Sequence, residues 1–524
     1  MGIYLNPGNI GFQEAVSSEI YIDKTGLLCY TNQILETKQK FVCISRPRRF
    51  GKSMAAEMLA AYYGRECDSE ELFHGLQIMQ DPSFTIHLNQ YNVIFLNMQD
   101  FLSRTHDIRK MKVLLEKALL RDLLRAYPDI DYFDKEDLIG VLLDIYNEKK
   151  DKKFIFIIDE WDCIFREIKY DVASQTFYLD FLRNLLKDKA YVALAYMTGI
   201  LPIKKYGSHS ALNMFDEYSM LDPGNLAEYV GFTQKDVRFL CQKYNMDLAE
   251  LQHWYDGYRF DQNIHIYSPC SVVRAMLTRR YNNYWNQTET FEALRDYIVM
   301  NFDGLKDTII ELLSGEQKKI NPGTFSNDMT TFTSADDVFT LLVHLGYLGY
   351  DFQTQQIFIP NSEVETEFIN AIKNAGWDEV IQAINHSEHL LQATWNMNEE
   401  IVATEIERVH LEMSSLTYNN ENALSCTISL AYYSARRYYT TIREYPTGKG
   451  FADIVFLPRK NCLDKPAMII ELKWNIDTES AITQIKEKKY VHALQEYSGN
   501  LLLIGINYDK KKKEHHCKIE KFYK

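Results

Sequence analysis

A basic turn near the start of the chain ends in Gly51-Lys52-Ser53, residue types that bind nucleotide phosphates. The glycine lets the backbone wrap a phosphate, the lysine brings positive charge to the β- and γ-phosphates, and the serine hydroxyl can ligate Mg²⁺. The P-loop pattern is Gly-x-x-x-x-Gly-Lys-Ser/Thr, and Arg46 stands here in place of its first glycine. Arg46, Arg48 and Arg49 could add charge to a bound nucleotide or face a partner. A basic turn that contains Gly-Lys-Ser by chance is the alternative.

Two carboxylates follow an apolar run farther along the chain. Residues 154–158 read as a buried strand, and Asp159 and Glu160 come directly after it. Asp159 could complete the ligand shell of Mg²⁺, and Glu160 could polarise the attacking water. A strand that simply leaves the core through acidic residues is the alternative. The presence of both halves in order favours nucleotide binding, and the two acids favour hydrolysis, so the expected cofactors are ATP and Mg²⁺.

A polar residue also ends the apolar run 191–197. Thr198 would lie beside the γ-phosphate and is a candidate sensor of the nucleotide. Candidates for a residue that stabilises developing charge, for each of which an ordinary surface charge is the alternative, are Arg166, Arg183, Lys204 and Lys205.

A second group with phosphate chemistry stands near the end of the chain. Asp453 begins one predicted strand, and Glu471 and Lys473 lie two residues apart on the next. Strand alternation puts Glu471 and Lys473 on one face. Asp453 and Glu471 could share a Mg²⁺ through their hard oxygen ligands, while Lys473 could position a water or stabilise a pentacovalent phosphate. A surface ion pair on an exposed strand is the alternative.

The elements that must position the first group alternate between strand and helix. Apolar runs predict strands at 41–45, 93–98, 154–158 and 191–197, and a helix is predicted at 53–63. Continuous apolar strands separated by helices indicate a parallel sheet that is covered on both faces. A helix that begins at Ser53 would point its free N–H groups at a bound anion.

The rest of the chain divides into a helical middle and a mixed end. Residues 336–346 predict an amphipathic helix with a glycine stop, and the alternation of 347–359 around a polar break fits a winged-helix-like unit. Strands are predicted at 439–444, 453–457, 467–472 and 501–507, with helices at 422–433 and 478–497. Domain edges are predicted near 260 and 410, which gives domains 1–260, 261–410 and 411–524.

Several of these motifs together resemble a known family. Residues 46–53, with Tyr21–Thr25 upstream, look like the bacterial AAA-ATPase-like domain that is commonly fused to a PD-(D/E)XK nuclease domain. Further matches are Ile158–Asp162, Thr198–Ile200 and Trp254–Tyr258. In that family the loop lacks the first glycine as a rule. The resemblance implies a P-loop ATPase of the additional-strand class.

The same resemblance implies nuclease chemistry at the C-terminal end. Glu421 matches the upstream acid of such nucleases, and Gln484 matches the polar residue on the helix after the motif. The implied catalytic set is Glu421, Asp453, Glu471, Lys473 and Gln484. The implied fold is α/β: a parallel P-loop sheet, a helical or winged-helix-like middle, and a C-terminal restriction-endonuclease-like domain. The alternative function is a nucleotide-gated binding or signalling protein with a catalytically silent nuclease fold.

Charge and composition bound the partners. Among 524 residues, 58 are Lys or Arg and 72 are Asp or Glu, which gives a net charge of −14. This argues against a generally basic surface for nucleic acid, but a local basic groove remains compatible with it. Basic residues do gather around the C-terminal motif: Arg436, Arg437, Arg443, Lys449, Lys486, Lys488 and Lys489. We therefore expect DNA as the partner, and a homo-oligomer stays open.

The sequence also bears on location and on structural metals. No apolar run approaches the ~20 residues that span a bilayer, and no signal-peptide pattern is seen. The nine cysteines are scattered and form no Cys-x-x-Cys pair. We therefore expect a cytoplasmic protein without a membrane partner. His515-His516-Cys517 contains possible ligands, but three adjacent residues cannot easily face one metal, so no zinc site is predicted there.

Overall fold

The computed structural model describes residues 2–522 apart from 151, 204, 207–208, 211, 261–263, 286–289, 301, 413–420, 448–449, 476 and 488–499. The chain forms two compact units. Unit 1 comprises residues 1–288 and 319–366, and unit 2 comprises residues 289–318 and 367–524. The domain edges near 260 and 410 stay predictions. Among the described residues, no helix combines the length and the apolar character that crossing a membrane requires.

Short strands form the sheets of the N-terminal part of the chain. They are β1 (Phe41–Ser45), β2 (Asn92–Asn97), β3 (Phe154–Asp159), β4 (Val192–Gly199), β5 (Lys205–Tyr206), β6 (His209–Ser210), β7 (Asp216–Tyr218), β8 (Phe232–Thr233), β9 (Tyr258–Phe260), β10 (Ile264–Tyr267), β11 (Lys318–Lys319), β12 (Gly349–Asp351) and β13 (Gln356–Phe358). The C-terminal strands are β14 (Tyr439–Thr447), β15 (Gly450–Pro458), β16 (Ala467–Trp474), β17 (Leu501–Asp509) and β18 (Glu514–Phe522).

The helices lie between and around these strands. Up to residue 278 they are α1 (Ile10–Val16), α2 (Gly26–Ile34), α3 (Lys52–Tyr63), α4 (Phe84–His87), α5 (Met98–Thr105), α6 (Ile108–Ala126), α7 (Leu138–Glu148), α8 (Cys163–Glu167), α9 (Val172–Leu186), α10 (Gln234–Tyr244), α11 (Leu248–Tyr255) and α12 (Pro269–Thr278). The later helices are α13 (Thr290–Met300), α14 (Leu305–Leu313), α15 (Ala335–Leu345), α16 (Ser362–Ala375), α17 (Asp378–Trp395), α18 (Glu399–Glu412), α19 (Glu421–Ala431) and α20 (Thr478–Glu487).

The central sheet of unit 1 has the strand order β2-β3-β4-β1-β7, and each neighbouring pair is parallel. Strand β4 therefore lies between the strand that leads into the basic turn and the strand that ends in Asp159. Every residue of β1, β3 and β4 is buried, as expected for parallel strands with both faces covered. The predicted α/β fold with a parallel P-loop sheet is confirmed. Its carboxyl edge brings the ends of β1, β3 and β4 together.

The predicted helix-and-hairpin unit lies in unit 1. Helix α15 starts at a capping box formed by Ser334 and Asp337 and ends at Gly346, whose φ is 85°. Only a glycine adopts such a left-handed conformation without strain. The antiparallel hairpin β12–β13 follows, and β11 completes a three-stranded sheet.

Unit 2 contains a mixed five-stranded sheet in the order β14-β15-β16-β17-β18. Only β16 and β17 pair in parallel, and the other neighbours are antiparallel. Strand β18 was not predicted, because this edge strand is charged and histidine-rich and its burial alternates poorly. Helix α20 begins where predicted, and the second half of that prediction, from residue 488, lies outside the described residues.

Candidate active sites

The basic turn follows β1 and passes directly into α3. Gly51 has a φ of 90° and forms the N-cap of this helix. An ideal Cβ placed on Gly51 meets no heavy atom within 4 Å, so the loop borders open space. The free N–H groups of the first turn of α3 lie beside this space. The arrangement suits an anion with the size of a phosphate group.

Lys52 is buried at the start of α3. Its Nζ donates hydrogen bonds to the carbonyl oxygens of Arg46 at 3.0 Å and Pro47 at 2.9 Å. Burial lowers the Lys52 pKa, and the opposing charge of Glu160 limits this effect. The ammonium group is therefore held within the loop by weak backbone acceptors, which a phosphate oxygen could replace at little cost.

Three predicted residues meet at the edge of the sheet. Ser53 Oγ donates to Asp159 Oδ2 at 2.7 Å, and Thr198 Oγ1 donates to Asp159 Oδ1. The register of the parallel strands explains the meeting, since Ile158 pairs with Met197 and the next residue of each strand is Asp159 or Thr198. The hydroxyl and carboxylate oxygens are ligand types that Mg²⁺ accepts, so the residues present fit this ion.

Glu160 has a φ of 54°, a conformation uncommon for a residue other than glycine. Its carboxylate forms an ion pair with Arg166, whose side chain is only 8% exposed. Burial raises the Glu160 pKa, and the charges of Arg166 and Lys52 oppose this rise. The strained backbone and the ion pair hold this carboxylate in a defined position next to Asp159.

Arg166 also binds Asp162 and so joins a network that sequence reasoning missed. Arg166 Nε lies 3.4 Å from Asp162 Oδ2, which accepts the backbone N–H groups of Ile200 at 3.0 Å and Leu201 at 2.8 Å. The network connects the end of β3 with the loop after β4. The i,i+4 spacing of Asp162 and Arg166 at the short helix α8 was the signal that could have revealed part of it.

The arginines of the basic turn have unequal surroundings. Arg46 is fully buried, and its Nη1 donates to the carbonyl oxygens of Ser45 at 2.9 Å, Tyr218 at 3.1 Å and Ser219 at 2.9 Å. Burial lowers the Arg46 pKa to about 10. These contacts anchor the turn to β7 and do not favour the predicted role of Arg46 in binding nucleotide.

The other two arginines of the turn, Arg48 and Arg49, are less buried than Arg46. Arg49 has a φ of 67° and donates to the carbonyl oxygen of Tyr284 at 3.2 Å. Arg48 is half-buried. The role of Arg48 and Arg49 in binding nucleotide stays a prediction.

The second predicted site lies on the sheet of unit 2. Glu471 is buried, and its Oε1 accepts hydrogen bonds from Lys473 Nζ at 3.1 Å and from Gln484 Nε2. Lys473 Nζ also donates to Gln484 Oε1 at 2.8 Å. Strand alternation places Glu471 and Lys473 on one face, and α20 brings Gln484 over it. These three predicted residues therefore converge.

Asp453 lies on the neighbouring strand β15. Its Oδ2 accepts the backbone N–H of Leu472 at 2.7 Å. Ile454 pairs with Ile470 in the antiparallel register, so the preceding Asp453 and the following Glu471 occupy adjacent positions on the two strands. The two carboxylates offer hard oxygen ligands that fit a divalent cation such as Mg²⁺. Glu421 is the first residue of α19, and its side chain lies outside the described residues.

Several of the basic residues around this site bind protein groups. Arg443 pairs with Glu316 at 2.5 Å, and Lys486 pairs with Glu520 at 2.6 Å. Arg436 Nη2 donates to the carbonyl oxygen of Leu313 at 2.7 Å. The predicted residues Lys449, Lys488 and Lys489 lie outside the described residues. Arg437 is exposed, and so is the lysine run 510–513 in the turn between β17 and β18.

Family models match both parts of the chain. The family described as predicted AAA-ATPase matches residues 11–208, and the PD-(D/E)XK nuclease superfamily matches residues 419–517. One curated relative is an uncharacterised protein in the vnfD 5′ region of Azotobacter chroococcum mcd 1. It is 26% identical over 293 residues, which cover 53% of this chain and 52% of that protein. The chain thus spans about half the length of this relative.

The solved structures of two proteins show some similarity to this chain. One is the ORC2 protein of Aeropyrum pernix, 10% identical, with a TM-score of 0.29, covering 69% of this chain and 96% of that chain. The other is Cdc6p of Pyrobaculum aerophilum, 9% identical, with a TM-score of 0.21, covering 69% of this chain and 98% of that chain. The two family matches show that this chain contains a predicted AAA-ATPase domain in its N-terminal part and a PD-(D/E)XK nuclease superfamily domain in its C-terminal part.

Proposed function

We propose that this chain hydrolyses ATP at the P-loop and that its nucleotide state controls metal-dependent cleavage of DNA by unit 2. The observation that carries the nuclease half is the convergence of Glu471, Lys473 and Gln484 on one face of the sheet, beside Asp453. A surface ion pair would be exposed, but the Glu471 side chain is only 3% exposed. A buried carboxylate with a lysine and an amide beside it suits phosphodiester chemistry.

At the P-loop, each residue has a separate role in the proposed reaction. Ser53 and Asp159 would hold Mg²⁺, which neutralises phosphate charge when bound. Lys52 would replace its hydrogen bonds to the loop carbonyl groups with contacts to the β- and γ-phosphates. Glu160 would orient the attacking water and accept its proton, while Arg166 holds the Glu160 carboxylate in place. Thr198 would sense the γ-phosphate through its bond to Asp159.

In unit 2, Asp453 and Glu471 would hold a divalent cation, which supplies Lewis-acid chemistry when bound. Lys473 would position the nucleophilic water or stabilise the negative charge that develops on the phosphate. Gln484 would hold the Lys473 ammonium and the Glu471 carboxylate in position relative to each other. Arg437 and the lysines of 510–513 offer positive charge for the DNA backbone.

The test is cleavage of single- and double-stranded DNA and RNA with Mg²⁺ or Mn²⁺, with and without ATP. We expect DNA cleavage by the wild-type chain and loss of cleavage in Glu471→Gln, with ATP hydrolysis retained. Wild-type protein that leaves every substrate intact under all these conditions would contradict the nuclease half. It would favour a nucleotide-gated binding protein that carries a silent nuclease fold.

A further inference from the structure

A cluster of metal-ligating residue types lies in unit 2 and belongs to neither candidate active site. Glu407, His410 and His515 each place one ligand atom so that these atoms all lie within 4.8 Å of one another. Ligand atoms that bind one Zn²⁺ at about 2.0–2.2 Å are separated by roughly 3.5 Å. Small side-chain rotations would therefore bring the three atoms around one ion.

The local fold explains why these residues meet. Glu407 and His410 are three residues apart on α18, so both side chains lie on the same face of the helix. His515 is the second residue of the edge strand β18, which α18 covers. Glu407 Oε2 accepts His515 Nδ1 at 2.5 Å and the His515 backbone N–H at 3.1 Å. The strand and the helix are thus joined at the point where the three side chains converge.

The surroundings of the cluster combine a closed side with an open one. The Tyr508 ring centroid lies 4.8 Å from that of His515 and 4.9 Å from that of His410, and Trp474 packs against Tyr508. On the other side, Glu407 and His515 line a cavity of about 640 Å³. The aromatic rings fix the imidazole planes, and the cavity gives a cation and a water molecule access.

We propose that Glu407, His410 and His515 bind one divalent transition-metal ion of the Zn²⁺ class. Two imidazoles and one carboxylate form a ligand set that suits Zn²⁺ and related ions, whereas Mg²⁺ and Ca²⁺ prefer oxygen ligands alone. The ion would take the place of the proton between Glu407 Oε2 and His515 Nδ1 and would join α18 to β18. The alternative is that Glu407 only forms an ion pair with His515 and orients its ring. That alternative does not explain why a second imidazole, that of His410, lies beside the same pair.

The test is Zn²⁺ binding to the full chain, measured by isothermal titration calorimetry and by metal analysis after dialysis. We expect about one tightly bound Zn²⁺ per chain, with affinity reduced at least tenfold in His515→Ala and in His410→Asn. The second variant removes a ligand without breaking the Glu407–His515 bond, so it serves if His515→Ala fails to fold. His516→Ala is the matched control, since His516 is exposed next to His515. It should bind like the wild-type chain.

Zn²⁺ could also bind at Asp453 and Glu471, so Glu471→Gln is measured in parallel. The proposal predicts that Glu471→Gln keeps the bound Zn²⁺. It is overturned if the wild-type chain binds no stoichiometric Zn²⁺, or if Glu471→Gln abolishes binding that His410→Asn and His515→Ala leave unchanged. A chain without nuclease activity could still bind Zn²⁺ here, so the two proposals fail independently.

Discussion

At the residue scale, the candidate P-loop site holds its two neighbouring carboxylates in different ways. Asp159 accepts hydrogen bonds from the hydroxyl groups of Ser53 and Thr198. These contacts hold its carboxylate among oxygen atoms of the type that Mg²⁺ accepts. Glu160 is instead held by an ion pair with a buried arginine. A base that is placed before substrate arrives needs no reorganisation during the reaction, which lowers the barrier. In the proposed reaction, Arg166 would therefore act on catalysis through Glu160.

Replacement of Arg166 should expose this role. We expect Arg166→Gln to lower kcat for ATP hydrolysis by about 10- to 100-fold, because Glu160 loses the partner that orients it. KM for ATP should change little, and Arg166→Lys should restore part of kcat. Arg125 is exposed on α6 and is not among the candidate residues, so Arg125→Gln is the control. Equal losses in the two glutamine variants, measured by phosphate release, would contradict the role assigned to Arg166.

Gln484 should matter in the same way for the nuclease site. Its amide contacts both Glu471 and Lys473, so Gln484→Ala should slow DNA cleavage by about 10- to 100-fold, the effect typical of losing a group that orients metal ligands. The neighbouring Thr483 is exposed on the same helix and offers the control Thr483→Ala. Cleavage that is equally fast in both variants and the wild-type chain would argue against this positioning.

At the element scale, the junction between β1 and α3 depends on a glycine with positive φ. Gly51 adopts φ 90°, and Gly75 adopts φ 78° in a distant loop, also without a heavy atom within 4 Å of an added Cβ. Alanine is strained at either position by roughly 1–2 kcal/mol. The two glycines therefore have similar backbone requirements but different neighbours.

These two glycines allow a matched comparison. Gly51→Ala and Gly75→Ala should both lower the melting temperature by a few degrees, whereas only Gly51→Ala should weaken ATP binding, by at least about tenfold. The reason is that a Cβ at Gly51 enters the space beside the start of α3 where we place the phosphate. Thermal unfolding and a fluorescent-nucleotide titration measure the two effects. Unchanged nucleotide affinity in Gly51→Ala would place the phosphate elsewhere.

The start of α15 is stabilised by a buried carboxylate. Asp337 Oδ2 accepts the N–H and the hydroxyl of Thr333, both at 2.7 Å, and Oδ1 accepts the Thr324 hydroxyl at 2.7 Å. Burial alone would raise the Asp337 pKa, but these hydrogen bonds lower it overall. A carboxyl group with a lowered folded-state pKa contributes stability above its unfolded pKa and loses it as pH falls through the folded pKa.

Asp337→Asn should therefore destabilise the chain in a pH-dependent manner. At neutral pH we expect a loss of about 1–3 kcal/mol, because the amide cannot accept all of these hydrogen bonds. The difference from the wild-type chain should shrink below about pH 4, where the unfolded carboxyl begins to bind a proton. Thermal unfolding of both proteins from pH 3 to pH 7 measures it. A difference that stays constant across this range would contradict the assignment.

At the scale of the whole molecule, the two candidate phosphate sites lie in different compact units. The net charge of −14 then says little about nucleic-acid binding, because the acids at both sites would be partly neutralised by bound cations. Around the C-terminal site, fewer basic groups are available to nucleic acid than the sequence indicates, since Arg436 and Arg443 bind protein groups. Contact with DNA should accordingly be confined to a small part of the surface.

The two activities should be separable by mutation. Lys52→Ala should reduce ATP turnover by at least about 100-fold, because the positive charge that stabilises the β- and γ-phosphates is lost. Asp453→Asn should spare ATP turnover and abolish metal-dependent cleavage. Phosphate release and DNA cleavage are measured on the same preparations. If ATP controls the nuclease, Lys52→Ala also removes the effect of ATP on cleavage; cleavage by Lys52→Ala that still responds to ATP would refute that control.

The sequence alone determined the local chemistry of this protein. A glycine, lysine and serine between a strand and a helix, acids at a strand end, and an acid and lysine two residues apart are patterns within short segments. Their local geometry follows from strand and helix periodicity. The strands β1 to β4 and β14 to β17 lie close to their predicted positions for the same reason.

Tertiary structure decided which of these residues meet. The burial of Arg46 against β7, the pairing of Arg166 with Glu160 and Asp162, and the cover of α20 over Glu471 depend on packing between elements. The clearest case is Glu407 and His515, which are 108 residues apart in sequence and form a hydrogen bond. No short-range pattern encodes that contact, because it exists only once α18 covers the edge strand β18.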